Sequence, residues 1–276
     1  MYNRRKFLKF FFSTLSAGAS SLAYAHGIEP HWVDWNSVPM PLQNGSSLLQ
    51  GRSLIQISDL HIGSLVSATY LKETFLKIQS LDADYIVITG DFISYKPGIE
   101  KDLSELLRFF PKGKKQTFAI LGNHDYGFFF NDPEVANDLS VLLKEQGITV
   151  LRNEHRLVDG IQWIGIDDLW SKRIDLQKSF RNCSPDIPSI ILAHNPDTID
   201  HPLWPNHFKG WILSGHTHGG QCRLPLLSPP ILPVKNRAYA SGKVQINLDQ
   251  TLYVNRGLGH LTKLRFCARP EVTIFS

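Results

Sequence analysis

The stretch YIVITGD, residues 85–91, sets an unbroken apolar run directly before a glycine and an aspartate. Runs of the same kind precede DLH at 59–61, GNHD at 122–125, His194, and GHTHGGQ at 215–221. Short apolar runs that end in glycine and polar residues are typical of buried strands. Because the carboxyl ends of parallel strands meet at one edge of a sheet, we expect these carboxylates, imidazoles and one amide to gather there.

The segments between these runs indicate the fold class. Apolar residues recur at helical spacing between 70 and 78 and between 103 and 110, and a further helix begins at Pro133. Beyond it the strands become shorter, with a hairpin turn at Asp159-Gly160. Alternating strands and helices followed by a strand-rich part predict an α/β fold with two facing mixed sheets flanked by helices. The predicted strands are 53–58, 85–89, 117–121, 149–151, 156–158, 162–166, 189–193, 210–214, 244–248, 252–255 and 272–275.

The five polar stretches, in this order, resemble the signature of the calcineurin-like metallophosphoesterases: D-x-H, G-D, G-N-H-D, a single His and G-H-x-H. One D-x-H would carry little weight, but five ordered elements are specific. The resemblance spans residues 53–276 and implies a four-layer αββα sandwich that holds two divalent metal ions. Four flanking stretches are more narrowly similar to the bacterial YaeI/YkuE-type phosphodiesterases: DLW at 168–170, HNPD at 194–197, GGQ at 219–221 and RGLG at 256–259.

The resemblance also implies how the ligands divide between the two metals. Asp91 is the natural bridge, because a carboxylate can bind two cations with a charge compensation that an amide lacks. The other expected ligands are Asp59, His61 and His218 at the first metal, and Asn123, His194 and His216 at the second. Mixed nitrogen and oxygen ligands without thiolate accept manganese, iron, zinc or magnesium, and manganese is the first expectation.

The same residues predict a hydrolytic mechanism. Two metals about 3.5 to 4 Å apart can share a hydroxide that attacks phosphorus in line. His124 is then expected to act as acid to the leaving alkoxide or as a charge stabiliser, and Asp125 to hold its imidazole in position. Asn195 and Arg256 are candidate contacts to the substrate phosphate, with a structural salt bridge as the alternative for Arg256. No serine or cysteine has the surrounding pattern of a nucleophile.

Several substrates and roles are compatible with this set of residues. Apolar loops at 128–130 and 224–233 directly follow two of the motifs, and if exposed they would suit acyl chains or a membrane surface. Relatives in the branch include UDP-2,3-diacylglucosamine pyrophosphatases of lipid A synthesis, so a lipid-linked phosphodiester or pyrophosphate is one hypothesis. The alternatives are a phosphomonoesterase or nucleotidase, and a binding module without catalysis.

The N-terminus predicts export. Basic residues at 4–9 precede a short apolar stretch to Leu22 and an A-x-A pattern at 23–25, which is typical of a twin-arginine signal recognised by its translocase. An uncleaved anchor is the alternative. The sequence thus predicts a leader at 1–25, an irregular lead-in at 26–52 and a catalytic domain at 53–276, in the periplasm or cell envelope.

Charge and cysteine content exclude other classes. The chain has 29 basic and 25 acidic residues, but four of the basic residues and none of the acidic ones lie in 1–25, so the rest is 25 − 25 = 0. Binding to long nucleic acid needs clustered Lys and Arg, and we therefore expect no nucleic-acid partner. Three cysteines without C-x-x-C spacing indicate neither a disulfide framework nor a zinc knuckle.

Overall fold

The computed structural model describes residues 4–42, 47–63, 65–96, 98–225 and 227–276. The described strands form two six-stranded sheets, with the orders β1-β12-β2-β3-β4-β5 and β10-β11-β9-β8-β7-β6. The strands are β1 Asp34–Val38, β2 Leu54–Ile57, β3 Tyr85–Thr89, β4 Gln116–Ile120, β5 Thr149–Val150, β6 Glu154–Val158, β7 Ile161–Ile166, β8 Ser189–Ala193, β9 Gly210–Ser214, β10 Gly242–Gln245, β11 Gln250–Val254 and β12 Glu271–Phe275. The α-helices are α1 Arg4–Gly27, α2 Ala68–Ser80, α3 Ile99–Leu107, α4 Pro133–Glu145 and the single turn α5 Leu176–Ser179.

The side chains of each strand alternate between two apolar layers, as the pleat of a strand requires. Leu54 and Val87 of the first sheet pack with Ile190 and Leu213 of the second in a core between the sheets. Ile55 and its neighbours on the opposite face pack against α2, α3 and α4. The outer face of the second sheet is covered by α5 and by loop residues that include Trp204 and Tyr239. The predicted αββα sandwich is confirmed, with a thin outer layer on the second sheet.

Both sheets are mixed, as expected. β2, β3 and β4 run parallel in one sheet and β7, β8 and β9 in the other, while β12, β6 and β10 pair antiparallel to neighbours. Gln56 joins the two sheets, because its amide nitrogen donates to Thr89 Oγ1 (3.1 Å) and to the Ser214 carbonyl (2.9 Å). The carboxyl ends of β2 and β3 therefore lie against the carboxyl end of β9 across the sandwich.

The lead-in at 26–52 is more ordered than its sequence predicts. It contains a 3-10 turn at Glu29–His31 and the edge strand β1, which pairs in parallel with β12 from Asp34↔Glu271 to Val38↔Phe275. The sequence DWNSV has no apolar run, and its partner lies 237 residues away, so no local pattern indicates this strand. Gly45 of this segment lies outside the described residues.

Across the described part of the chain, no helix is both long enough and apolar enough to cross a bilayer. This includes α1, which extends past position 25, where the leader was predicted to end. The first three residues of the leader lie outside the described residues.

Candidate active site

The predicted ligands converge in two groups at the carboxyl edge of the sheets. Asp59, His61 and His218 each offer one ligand atom within 4.8 Å of the others, and so do Asp91, His194 and His216. The groups draw on loops after β2, β3, β8 and β9, so both sheets contribute. His216 and His218 belong to different groups because the backbone turns between them, as the sequence predicted.

Asp91 connects the two groups. Its Oδ2 lies 3.7 Å from His61 Nε2 and 3.3 Å from His194 Nε2, so one carboxylate oxygen faces an imidazole of each group. Its Oδ1 accepts a hydrogen bond from the backbone N–H of His124 at 2.9 Å, which fixes the carboxylate orientation. This is the geometry expected of a carboxylate that bridges two cations.

Hydrogen bonds at the far side of the rings identify which imidazole nitrogens face the site. His194 Nδ1–H donates to the Thr89 carbonyl at 2.7 Å, and His216 Nε2–H donates to the Pro233 carbonyl at 3.0 Å. In the neutral rings the remaining nitrogens carry lone pairs, yet they face each other at only 3.2 Å. Two lone pairs at this distance repel unless a cation lies near both, so the donor set fits a metal ion.

Charges in the site agree with this interpretation. Burial alone would lower the pKa of His194, but the Asp91 carboxylate outweighs it and holds that pKa well above its ordinary value. In the same pair, burial opposes ionisation of Asp91, but His194, His124 and His61 outweigh it and keep its pKa well below the usual range. The protein thus favours one positive charge between these groups, which a proton or a metal ion can supply.

Burial favours the neutral form of three further ligand histidines, His61, His216 and His218, by lowering the pKa of each. Burial lowers the pKa of His61 and of His216 to about 3, and burial with the nearby His61 and Arg265 lowers that of His218 well below its ordinary value. Burial raises the pKa of Asp59 to about 6, with Asp91 adding to the effect. A neutral imidazole is the metal-binding form, so little proton release from these rings need accompany metal binding.

Five of the seven predicted ligands have a backbone conformation that L-residues rarely adopt. Their φ angles are positive: Asp59 +50°, His61 +46°, Asp91 +53°, His216 +71° and His218 +50°. Such conformations cost of the order of 1 to 3 kcal/mol each and persist where the surrounding structure imposes them, commonly at functional sites. Gly215 shows how tightly it does so, since a Cβ there would lie 2.3 Å from Asp59 Oδ2.

Asn123 is buried beside these groups with both polar atoms of its side chain lacking a hydrogen-bond partner. A buried amide without partners costs about 1 to 3 kcal/mol, so its oxygen needs a ligand of another kind. Metal coordination through Oδ1 supplies one. Asn123 lies three residues after the end of β4, in the loop beside the one that carries Asp91 after the neighbouring β3.

His124 lies at the edge of the site. Its ring centroid is 4.9 Å from that of His61 and 4.8 Å from that of Phe130, and it is partly exposed to solvent. One of its nitrogens also falls within 4.8 Å of ligand atoms of His61 and Asp91. A partly exposed imidazole beside the metal ligands is suitably placed to reach a substrate oxygen.

The role expected of Asp125 needs correction. Its Oδ1 accepts from the backbone N–H groups of Phe92 (2.8 Å) and Ile93 (3.2 Å), and its Oδ2 accepts from that of Gly122 (2.9 Å). These bonds tie the loop after β3 to the loop after β4, and no bond to the His124 imidazole is found among the described residues. Asp125 therefore fixes the backbone that carries the ligands, because its rotamer reaches peptide N–H groups instead of the ring.

Arg256 also differs from the phosphate contact proposed for it. Its Nε donates to Glu271 Oε2 at 2.7 Å and its Nη2 to Asp34 Oδ2 at 2.8 Å. These ion pairs join the loop after β11 to the first residues of β1 and β12. The alternative of a structural salt bridge describes the observed contacts, and the aliphatic stem of Arg256 packs behind Gly219, next to His218.

Arg265, which no feature of the sequence indicated as part of the site, is fully buried. Its guanidinium donates to the carbonyls of Ala268, Arg256 and Gly259, and its Nη2 lies 3.4 Å from His218 Nδ1. It thereby holds the loop behind Asp59, where the Gly259 N–H donates to the Asp59 carbonyl at 2.6 Å. No motif marks Arg265, because its partners are backbone carbonyls that any sequence supplies.

Comparison with known proteins agrees with this geometry. A family model described as calcineurin-like phosphoesterase matches residues 52–220, and the chain belongs to this family of metallophosphoesterases.

The chain is 34% identical to the uncharacterized metallophosphoesterase YkuE of Bacillus subtilis (strain 168), over 99% of this chain and 97% of that protein. It is 29% identical to the phosphodiesterase YaeI of Escherichia coli (strain K12), over 99% and 98%. It is 28% identical to the UDP-2,3-diacylglucosamine pyrophosphatase LpxG of Chlamydia trachomatis serovar D, over 94% of each chain. The protein is a metal-dependent phosphoric ester hydrolase with a site for two metals.

Proposed function

We propose that the protein is a phosphodiesterase that hydrolyses a phosphodiester or pyrophosphate bond at two divalent metal ions. The observation that supports this most is Asp91, whose single oxygen Oδ2 faces His61 in one ligand group and His194 in the other. Two bound ions supply Lewis acidity and lower the pKa of a shared water. The chain contributes the ligands, the partly exposed His124 beside them, and the backbone bonds of Asp125 that hold the loops in place.

Metal removal tests this function. We expect the full-length protein, stripped with a chelator, to lose hydrolysis of bis-p-nitrophenyl phosphate and to regain it when manganese is added back. Titration with zinc, iron(II) and magnesium in parallel identifies which ions serve. A folded protein that binds two metals but hydrolyses no diester with any of them would contradict the proposed function.

A lipid-linked substrate is the finer proposal, and the surroundings of the site support it. Trp170 contacts His216 with ring centroids 4.5 Å apart, and Phe130 stands between His124 and Trp170. Beyond this aromatic border, Phe128, Phe129 and Ile231 are each more than 70% exposed. Exposed apolar residues of this size beside a catalytic site suit an acyl chain. Leu226, in the second apolar loop, lies outside the described residues.

The similarity to LpxG suggests one lipid to try. We expect the manganese-loaded protein to release UMP from UDP-2,3-diacylglucosamine, with UDP-N-acetylglucosamine as the matched substrate that lacks the acyl chains. Chromatographic measurement of UMP compares the two rates. Equal rates with the two substrates would show that the apolar border does not bind acyl chains. If the protein hydrolyses the simple diester but releases UMP from neither substrate, UDP-2,3-diacylglucosamine is not its substrate.

Location at the cell envelope is also proposed, with the leader retained and packed on the domain. Ala25, at the expected cleavage site, is buried, and its carbonyl accepts from the backbone N–H of Arg265 at 2.9 Å. The adjacent Tyr24 ring contacts Phe266 at 6.4 Å. A peptidase needs exposed, extended backbone. These residues are instead helical and pack on the domain beside Arg265, which in turn lies near His218.

Sequencing the N-terminus of the protein from fractionated cells tests the location and the processing together. We expect an envelope fraction that contains the protein with residues 1–25 still attached. Recovery in the cytoplasm would contradict the location. An N-terminus at His26 would show that the leader is a cleaved signal and that the packing of Ala25 does not protect it.

A further inference from the structure

Two buried polar atoms beside the second ligand group are left without partners. Asp168 and Asn195 are each 1% exposed, and neither Asp168 Oδ1 nor Asn195 Nδ2 has a hydrogen-bond partner. One is an acceptor and the other a donor. Each unmet group costs about 1 to 3 kcal/mol, so each of the two atoms needs a partner.

Strand register places the two residues side by side. β7 and β8 run parallel, and the last pair in their register is Ile166↔Ala193. Asp168 and Asn195 each come two residues after that pair. Asn195 directly follows His194, and Trp170, in the same loop as Asp168, contacts His216. Asp168 and Asn195 therefore both lie in loops that border the second ligand group.

Each side chain is fixed by its other polar atom. Asp168 Oδ2 accepts from the Ser171 N–H at 2.6 Å, and Asn195 Oδ1 accepts from the Asp197 N–H at 2.9 Å. These bonds settle the amide orientation of Asn195, so the free atom is its NH₂ group. Each side chain therefore has one polar atom held by a turn and one atom without a partner.

The charge of Asp168 limits what can bind. Asp168 Oδ1 is a carboxylate oxygen and accepts hydrogen bonds, whereas Asn195 Nδ2 only donates them. A phosphate oxygen would be repelled by this carboxylate. An ammonium group would leave the Asn195 NH₂ unpaired. A hydroxyl group both donates and accepts, and it alone of these three satisfies both atoms.

We propose that Asp168 and Asn195 form a subsite for a free hydroxyl group on the alcohol part of the substrate. The hydroxyl donates to Asp168 Oδ1 and accepts from Asn195 Nδ2. The substrate class is then a phosphodiester of a polyol, such as a glycerol or sugar, instead of a simple alkyl ester. This inference rests on the proposed phosphodiesterase function, because the subsite would bind the hydroxyl beside the metal ligands.

Two esters with the same leaving group test the subsite: the p-nitrophenyl phosphodiesters of glycerol and of propanol. We expect manganese-loaded wild-type protein to favour the glycerol ester in kcat/KM by about tenfold to a hundredfold, the range for a hydrogen bond to a charged group. Calorimetry compares the binding affinities of glycerol 3-phosphate and propyl phosphate, which tests the same hydroxyl without turnover. Equal kcat/KM for the two esters would mean that the atoms hold only water, and would overturn the subsite while leaving the phosphodiesterase intact.

Substitutions that keep the turn bonds sharpen the test. Asp168→Asn turns the free acceptor into a donor, and Asn195→Asp turns the free donor into an acceptor, while each keeps an oxygen for its backbone N–H. We expect Asn195→Asp, which leaves two acceptors for one hydroxyl proton, to bring the glycerol-to-propyl ratio close to one. Asp168→Asn should lower the ratio less, because a hydroxyl can accept from two donors, and the double variant should restore part of the preference. If both esters lose activity equally in each single variant and the double variant rescues neither, the residues support the fold or the metals and the subsite is wrong. No hydrolysis of either ester by the metal-loaded wild type would count against the proposed function itself.

Discussion

Asp91→Asn is expected to abolish most catalysis by removing the charge that both ligand groups share. An amide cannot bridge two cations with comparable charge compensation, so we expect the protein to retain less than its full metal content. The loss in kcat/KM should be about 10³-fold or more, equivalent to about 4 kcal/mol, since metal stabilisation of the transition state is worth several kcal/mol. Metal content by mass spectrometry and hydrolysis of bis-p-nitrophenyl phosphate measure the two effects.

The substitution is nearly isosteric, and the asparagine oxygen can still accept from the His124 N–H that Asp91 Oδ1 now binds. The fold should therefore persist. Asp159→Asn is a matched control, since Asp159 lies in the β6–β7 hairpin turn and pairs with Lys115 at 2.8 Å. A variant at Asp91 that keeps both metals and full activity would show that this carboxylate does not bridge.

The sequence predicted the site well because its signals are local. Each ligand follows a strand whose apolar run is visible in the sequence, and β3, β8 and β9 are close to or at their predicted limits. Parallel strands then bring these ends to one edge without further information. The same argument explains why the αββα arrangement could be expected before any coordinates.

What the sequence could not indicate are contacts between distant, chemically ordinary residues. Strand β1 depends on pairing with β12 at the other end of the chain. Asp125 was assigned by its place beside His124, yet it bonds backbone N–H groups. For Arg256 the chemistry of its side chain left a phosphate contact and a salt bridge both open, and it bonds carboxylates from two other elements. Side-chain orientation decides such roles, and it follows from packing that no short motif encodes.

The proposed subsite of Asp168 and Asn195 is a further feature that the sequence could not indicate. Asp168 follows a strand, as a turn residue would, and its Oδ2 does accept a hydrogen bond from the Ser171 N–H in a turn. The atom that we propose to bind substrate is the other oxygen, Oδ1, and only the structure shows that it is buried and unpaired. A turn-forming aspartate and a substrate-binding aspartate have the same sequence pattern.

His124→Gln is expected to lower kcat by about 10² to 10⁴-fold on esters with an alkoxide leaving group, the range for loss of a general acid. The loss should be much smaller for p-nitrophenyl esters, because p-nitrophenolate leaves without protonation. Both metals should remain bound. The kcat values for alkyl and p-nitrophenyl esters measure the two losses, and metal analysis of each sample shows whether both metals remain bound.

The position of His124 makes the metal analysis decisive. One of its nitrogens lies within 4.8 Å of ligand atoms of His61 and Asp91, so a ligand and an acid are both compatible with its place. Loss of a metal in His124→Gln would assign it as a ligand. Equal losses for both kinds of ester, with metals retained, would make it a stabiliser of phosphoryl charge instead of an acid. His155→Gln, on the peripheral strand β6, is the matched control, since its position at the sheet edge has no part in either role.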